Sequence, residues 1–472
     1  MKPRKLAVGA LVLLALPVAL YASYRPDRAL RSATAAVADI VCAKTFVSGL
    51  DPQTVFAETL ERPDIRRLRS ALRYQIDRDT GIVEASVMGL MANRSEFHPG
   101  LGCVLLHGPK APYLPISSDV VALRQPQQPA SLPEIAGSDP VEPRSPALKT
   151  ALDHAFAETP GPPLRRTAAV VVIKDGQVIA ERYAAGIGVD TQLIGFSLTK
   201  SVVNALLGIL TRQGKLDPAM PAPIPDWSDP SDPRHVITIE QMMRMTTGLA
   251  LDETNSGFDA SSQMLLHPDM AGFAARAPLV APPGTRWAYS SATTQILARL
   301  IRDTAGGPER ALQLVWRELF NPLGMRHVTV QLDGSGTMQG FSNMLAGARD
   351  WARFGLLYLN DGVIGGRRIL PDGWVASSAT ATLDSDYGAG LWTNRSHDEH
   401  ALERARQRIP PDAFFAFGLL GQRIVILPTQ HMVIVRLGDS IDPTGDIQGL
   451  ERLVREVIAA TSGPTTAATL SR

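Results

Sequence analysis

The sequence predicts an α/β fold of the α+β type: an antiparallel sheet flanked by helices, with a helical lobe beside it. Three observations predict it. Residues 168–173 and 178–183 are apolar runs joined by Lys174-Asp175-Gly176-Gln177, and Asp-Gly between two such runs signals a hairpin. Two further strand patterns, 423–427 and 431–437, lie far along the chain within 414–438. The interval is dominated by helical patterns, at 239–245, 292–305 and 347–360. Strands from both ends of one region can then pair in a single sheet, leaving a cleft against the helical lobe.

Before this region lie segments of different character. Met1-Lys2-Pro3-Arg4-Lys5 precedes residues 6–23, which are almost wholly apolar. A basic flank before such a run reads as an export signal or an uncleaved anchor. About 18 residues is near the lower limit for crossing a bilayer. Ala22-Ser23-Tyr24 is a poor cleavage site, which favours retention, and no Cys follows directly, which argues against a lipoprotein. The expected location is a bacterial inner membrane facing the periplasm, or the periplasm itself, with membrane contact through residues 1–29. Residues 30–123 form an N-terminal module, with a helix at 33–47 and strands at 81–90 and 100–106. It carries both cysteines, Cys42 and Cys103. In an oxidising compartment two cysteines most simply form one disulfide, with two buried thiols as the alternative. Residues 124–147, rich in Pro, Gln and Ser, read as an extended linker. The main domain spans 148–460, opening with a helix at 148–156 and closing with one at 450–460. Residues 461–472 read as a disordered tail.

The formal net charge of +1 shows no basic excess, so no nucleic-acid partner is expected. Chemistry concentrates at Phe196-Ser197-Leu198-Thr199-Lys200, which opens the apolar run 201–210. A spacing of three puts Ser197 and Lys200 on one helical face. A serine in the first turn, where the helix dipole favours negative charge, beside a desolvated amine would be an activated nucleophile. A serine cap with a snorkelling core lysine is the alternative. No Gly-x-Ser-x-Gly elbow surrounds Ser197, which disfavours a histidine-dependent triad. His397-Asp398-Glu399-His400 lacks a third ligand at recognisable spacing and reads as a solvated loop.

Four collinear segments resemble the serine β-lactamase/penicillin-binding superfamily, most of all its class C-related esterases and 6-aminohexanoate-dimer hydrolases. Ser197-Leu198-Thr199-Lys200 matches the first motif. Segment 241–249, ending Thr246-Thr247-Gly248-Leu249, resembles "L-L-x-H-T-S-G-L". Pro283-Gly284, followed by Tyr289-Ser290-Ser291, resembles "P-G-x-x-x-x-Y-S-N", and Gly347-Ala348-Arg349-Asp350 opens a copy of "S-A-x-D-L-A-R-F-G". The resemblance covers roughly 148–460. It implies a β-lactamase/transpeptidase-like fold, no cofactor and no metal. It also implies a serine hydrolase acting on a small-molecule ester or amide through Ser197, Lys200 and Tyr289. Lys200 and Tyr289 are both candidate bases, and a phenol beside an ammonium would be pushed toward phenolate. Gly418, Leu419, Leu420, Gly421 and Gln422 would bind substrate, the oxyanion hole being the Ser197 N–H with one from 419–421. Asp386-Tyr387-Gly388 through Trp392 resembles a strand near the cleft.

Two departures matter. The family's K-T-G lysine cannot exist here, because the chain has eight lysines and none follows Lys215. Ser291 stands where the second motif has Asn. Both weaken a β-lactamase or D,D-peptidase, the second functional reading. A third, a non-catalytic penicillin-binding-like sensor or scaffold, has no need of all three site residues.

Overall fold

The structure, a computed structural model, describes residues 25–108, 122–123 and 134–462. The apolar run at 6–23, the first half of the expected linker and the residues after 462 lie outside the described residues. No helix among the described residues is long and apolar enough to cross a membrane.

The described residues open with helix α1 (Pro26–Cys42), extended by a π-helical turn over Ala43–Val47. Proline at the first helical position suits that start, since its missing N–H would be unpaired there anyway. The helix therefore begins inside the stretch read as anchor. It packs on a four-stranded antiparallel sheet, β1 (Leu72–Asp77), β2 (Ile82–Val87), β3 (Leu90–His98) and β4 (Gly102–Leu106), in that order. Val37, Ala38 and Val41 pack with Val83 and Ala85 of the sheet, and Cys42 is joined to Cys103.

The second part starts with α2 (Pro146–Phe156), capped by Ser145. Then come β5 (Thr167–Lys174) and β6 (Gln177–Tyr183), turning at Asp175-Gly176, and β7 (Leu193–Ile194). Helix α3 (Leu198–Arg212) is buried along almost its whole length, its apolar residues packed in the core and its buried Ser201 and Asn204 hydrogen-bonded to the carbonyls of Gly390 and Ala389. The lobe follows, with α4 (Ser291–Ala305), β8 (Val328–Val330), β9 (Met344–Ala346), α5 (Ala348–Leu359) and a hairpin of β10 (Val363–Ile364) and β11 (Arg367–Arg368). The chain returns through β12 (Trp392–Thr393), β13 (Phe414–Gly418), β14 (Gln422–Leu427) and β15 (Met432–Gly438), then closes with α6 (Ile447–Thr461).

The main sheet has the order β12-β13-β14-β15-β5-β6, all antiparallel. Strands from both ends of the domain thus meet as expected, through the β15–β5 pairing of Ile434 with Val172. One face carries α2 and α6, and α5 lies on the other. Two expectations need correction. The segment 414–438 holds three strands, because Phe414-Phe415-Ala416-Phe417-Gly418 also pairs with β14. The segment 386–392 is a turn closed by a Tyr387–Trp392 bridge, with only Trp392 entering a strand. The described half of the expected linker, 134–145, lies along the main domain. There the Ile135 carbonyl accepts from Val178 N–H, and Glu134 pairs with Arg326 and Arg353.

Candidate active site

Ser197 stands where the chain leaves β7 and enters α3, half-buried at the N-terminal end of that helix. The preceding residue, Phe196, has φ 46°. A bulky side chain in that left-handed region costs on the order of 1–3 kcal/mol, so its surroundings must over-determine it. They do: Phe196 packs with Ile40 of α1, Ile194, Leu345 and Leu420. The Arg62 guanidinium lies 5.5 Å from its ring centroid.

Lys200, one turn on, is 3 % exposed. Its Nζ lies 2.8 Å from Ser197 Oγ, 3.0 Å from Ser291 Oγ and 3.1 Å from the Phe341 carbonyl. All three acceptors are neutral. Behind it is a cavity of ≈ 10 Å³, room for one water, lined mainly by apolar side chains such as Val203, Leu207, Met243 and Leu297. Burial therefore pulls Lys200 down from 10.5 to about 8, against the opposing charge of Glu253.

Tyr289, just before α4, approaches the same point, near enough for Ser197 to act on its phenol. Lys200 Nζ sits 4.8 Å from its ring centroid. The sequence left the proton unassigned between these two groups, and in the structure burial rather than the neighbouring amine dominates at the phenol. Burial, aided by Tyr387 and Glu253, pushes Tyr289 well above 10, and only the nearby Ser197 hydroxyl opposes it. The site thus holds an amine that loses its proton easily and a phenol that keeps one.

The structure brings Ser197, Lys200 and Tyr289 together, and it also shows residues that the sequence reading did not assign. Glu253 accepts from the Ser291 N–H at 2.6 Å and from the Ser261 hydroxyl at 3.0 Å, while its own N–H donates to the Tyr289 carbonyl at 3.2 Å. It ties the Tyr289 segment to the start of α4. Ser291, noted only as a missing Asn, is a Lys200 partner. Tyr387 is buried with its ring edge-on to Tyr289 at 5.7 Å, and Trp287, Trp392 and Phe417 extend this aromatic wall. The Y-G-x-G pattern was the one signal for Tyr387. Glu253 left none, since it lies in a loop without periodicity.

On the other side, the end of β13 abuts the turn before the nucleophile. A Cβ at Gly418 would lie 2.4 Å from the Gly195 carbonyl, so only glycine lets the two backbones meet there. Leu420, with φ 57°, packs beside Phe196. Its carbonyl accepts from the Ser440 N–H and the Gly421 carbonyl from Arg436, while Leu419 is exposed. Gln422 is spent elsewhere: its side-chain amide bonds the Gly438 carbonyl and N–H. The cations of this region are spent too. Arg423 donates to the carbonyls of Gln422, Thr444 and Gly445, and Arg436 to those of Gly421 and Arg165. Burial pulls them down to about 9 and about 10.

Asp386, Asp398 and His400 bring ligand atoms within 4.8 Å of one another. Asp386 is committed to Arg404 at 2.8 Å, and Asp398 caps the helix Glu399–Arg406. Those bonds account for the cluster without an ion.

A family profile described as Beta-lactamase matches residues 152–458. A 6-aminohexanoate-dimer hydrolase of Paenarthrobacter ureafaciens is 27 % identical over 338 residues, 66 % of this chain and 82 % of that protein. Among solved structures, a penicillin-binding protein homolog from Caulobacter crescentus superposes with a TM-score of 0.53 at 18 % identity. That match covers 70 % of this chain and 100 % of the other. A family VIII carboxylesterase gives a TM-score of 0.51 at 16 % identity, with 70 % and 100 % covered.

Proposed function

Because this chain belongs to the beta-lactamase family and is a serine hydrolase, we propose that it forms an acyl-enzyme on Ser197 with a small, uncharged ester or linear amide. One observation carries this reading: a buried lysine with no carboxylate contact, 2.8 Å from the serine oxygen and lowered to about 8. Neutral Lys200 takes the hydroxyl proton as Ser197 Oγ bonds the carbonyl carbon. The Ser197 N–H and one from 419–421 hold the oxyanion. As the bond to the leaving group breaks, Tyr289 gives it the phenolic proton and regains one from Lys200. Water then hydrolyses the acyl-enzyme with the same residues working in reverse.

The preference for uncharged substrates rests on Arg423 and Arg436, whose donors go to backbone carbonyls, and on the aromatic wall around Tyr289. The relative named as acting on a 6-aminohexanoate dimer supports linear amides beside esters. Ser197→Ala should abolish hydrolysis of p-nitrophenyl acyl esters with the fold retained, and a fluorophosphonate should add once, at Ser197. Wild-type turnover by Ser197→Ala, or folded protein without an adduct, sinks the assignment. Profiling against nitrocefin and D-Ala-D-Ala peptides beside esters and linear amides tests the substrate class.

A further inference from the structure

Large apolar side chains stand exposed around one end of the N-terminal module. Met88 and Leu90, at the turn between β2 and β3, are 75 % and 68 % exposed, and Phe258 is 52 % exposed. They come from distant parts of the sequence but converge on the start of α1. Just past the β2–β3 turn, the Met91 carbonyl accepts from the Thr34 hydroxyl at 2.7 Å, and Asn93 donates to the Arg31 carbonyl at 2.9 Å. Beside Phe258, a Cβ on Gly257 would touch the Ala29 Cβ at 3.1 Å, and Ser32 Oγ donates to the Gly257 carbonyl. The same end of α1 exposes Arg25, Arg28 and Arg31, with Asp27 paired to Arg25. This is also the point where the described chain begins, directly after the apolar run at 6–23.

We propose that this face, formed by Met88, Leu90, Phe258 and the arginines of α1, lies on a bilayer containing anionic lipid. Apolar side chains ringed by arginine suit the boundary between headgroups and acyl chains, where the former are buried and the latter meet lipid phosphate. A lone exposed apolar residue means little, but a patch gathered from three segments needs an occupant. An 18-residue apolar run ends two residues before α1, and its insertion in a bilayer would set this face beside the lipid. Phe258 shares its loop with Glu253, so the loop that ties Tyr289 to α4 would border the lipid. The placement does not depend on Ser197 being the nucleophile.

The test uses the full chain in vesicles of phosphatidylethanolamine and phosphatidylglycerol, with or without bromine on the acyl chains. Leu90→Trp adds an indole at the patch. Asp372→Trp adds one beside β11, at a side chain that is 86 % exposed. The parent protein supplies the background from native tryptophans. Each variant must keep its disulfide and parental turnover of a soluble ester, and Met88→Trp repeats the measurement at the same turn. Bromolipid should remove about half or more of the emission added at Leu90 or Met88, as for a side chain sunk ~5–10 Å into the boundary. Emission added at Asp372 should be untouched. Equal quenching at both places, quenching at neither, or failure of the chain to float with the vesicles overturns the proposal.

Discussion

Two lysines are buried among the described residues, and they do opposite things. Lys44, at the end of α1, is 5 % exposed and places Nζ 2.5 Å from Asp439 Oδ2. Burial works to raise Asp439, but the Lys44 charge and hydrogen bond, backed by Arg62 and Arg166, hold it below the usual carboxylate range. Lys200 is buried as deeply among two hydroxyls and a carbonyl, so nothing compensates its charge at contact distance, and burial lowers it to about 8. Similar burial gives a strut where a carboxylate is present and a base where it is absent. The strut fastens the N-terminal module to the segment behind Leu420, and the base sits on the other side of Ser197.

The largest effect should separate the two. Lys200→Met is expected to cut kcat about 10²–10⁴-fold while thermal unfolding stays near the parent. Lys44→Met should leave kcat per folded molecule within about threefold, because no step is asked of that amine. Steady-state kinetics beside calorimetry on both variants decide it. An equal loss of kcat in the two, both folded, would break the distinction.

Stability should follow the reverse order. Cys42 stands two residues before Lys44, and its bridge to Cys103 spans 61 positions. Replacing both cysteines by serine should cost about 4 kcal/mol in the chain-entropy account. Lys44→Met comes next, at about 3 kcal/mol, since it strands the Asp439 carboxylate. Adding Asp439→Leu to Lys44→Met should return part of that loss, and a double variant no better than the single would mean the pair is not what Lys44 contributes.

Much of this was legible in the sequence, for stated physical reasons. The Ser197–Lys200 spacing is local, and so is the Asp175-Gly176 turn, so short-range geometry sufficed for both. The Cys42–Cys103 bridge followed from having two cysteines and an export-like flank. β13 was missed because Phe414-Phe415-Ala416 is buried on both faces and shows no alternation. Glu253 was missed because its partners come from tertiary contact alone, the Ser291 N–H being 38 positions away. The place of the proton between Lys200 and Tyr289 was left open, because the sequence shows a lysine and a phenol but not the burial that lowers one and raises the other.

The smallest expected effect tests that last point most closely. Lys200 must be neutral to take the Ser197 proton, so kcat/KM on an uncharged ester should rise with pH and level off above about 8. Stability carries the same sign. Below about 8 the lysine is charged in both folded and unfolded chains, and its burial is a constant cost. Between about 8 and 10.5 only the unfolded chain holds the proton, so this group's contribution to stability rises across that window. Glu253 opposes the lowering of Lys200 and helps raise Tyr289. Glu253→Gln removes the charge but keeps a side-chain oxygen for the Ser291 N–H. The midpoint of the acid limb should therefore move to lower pH, with little change in the plateau. A midpoint that stays in place would mean that Glu253 acts on Lys200 only through its hydrogen bond to Ser291. A midpoint that rises would mean that desolvation does not set the Lys200 proton affinity, and the contrast with Lys44 would lose its physical basis.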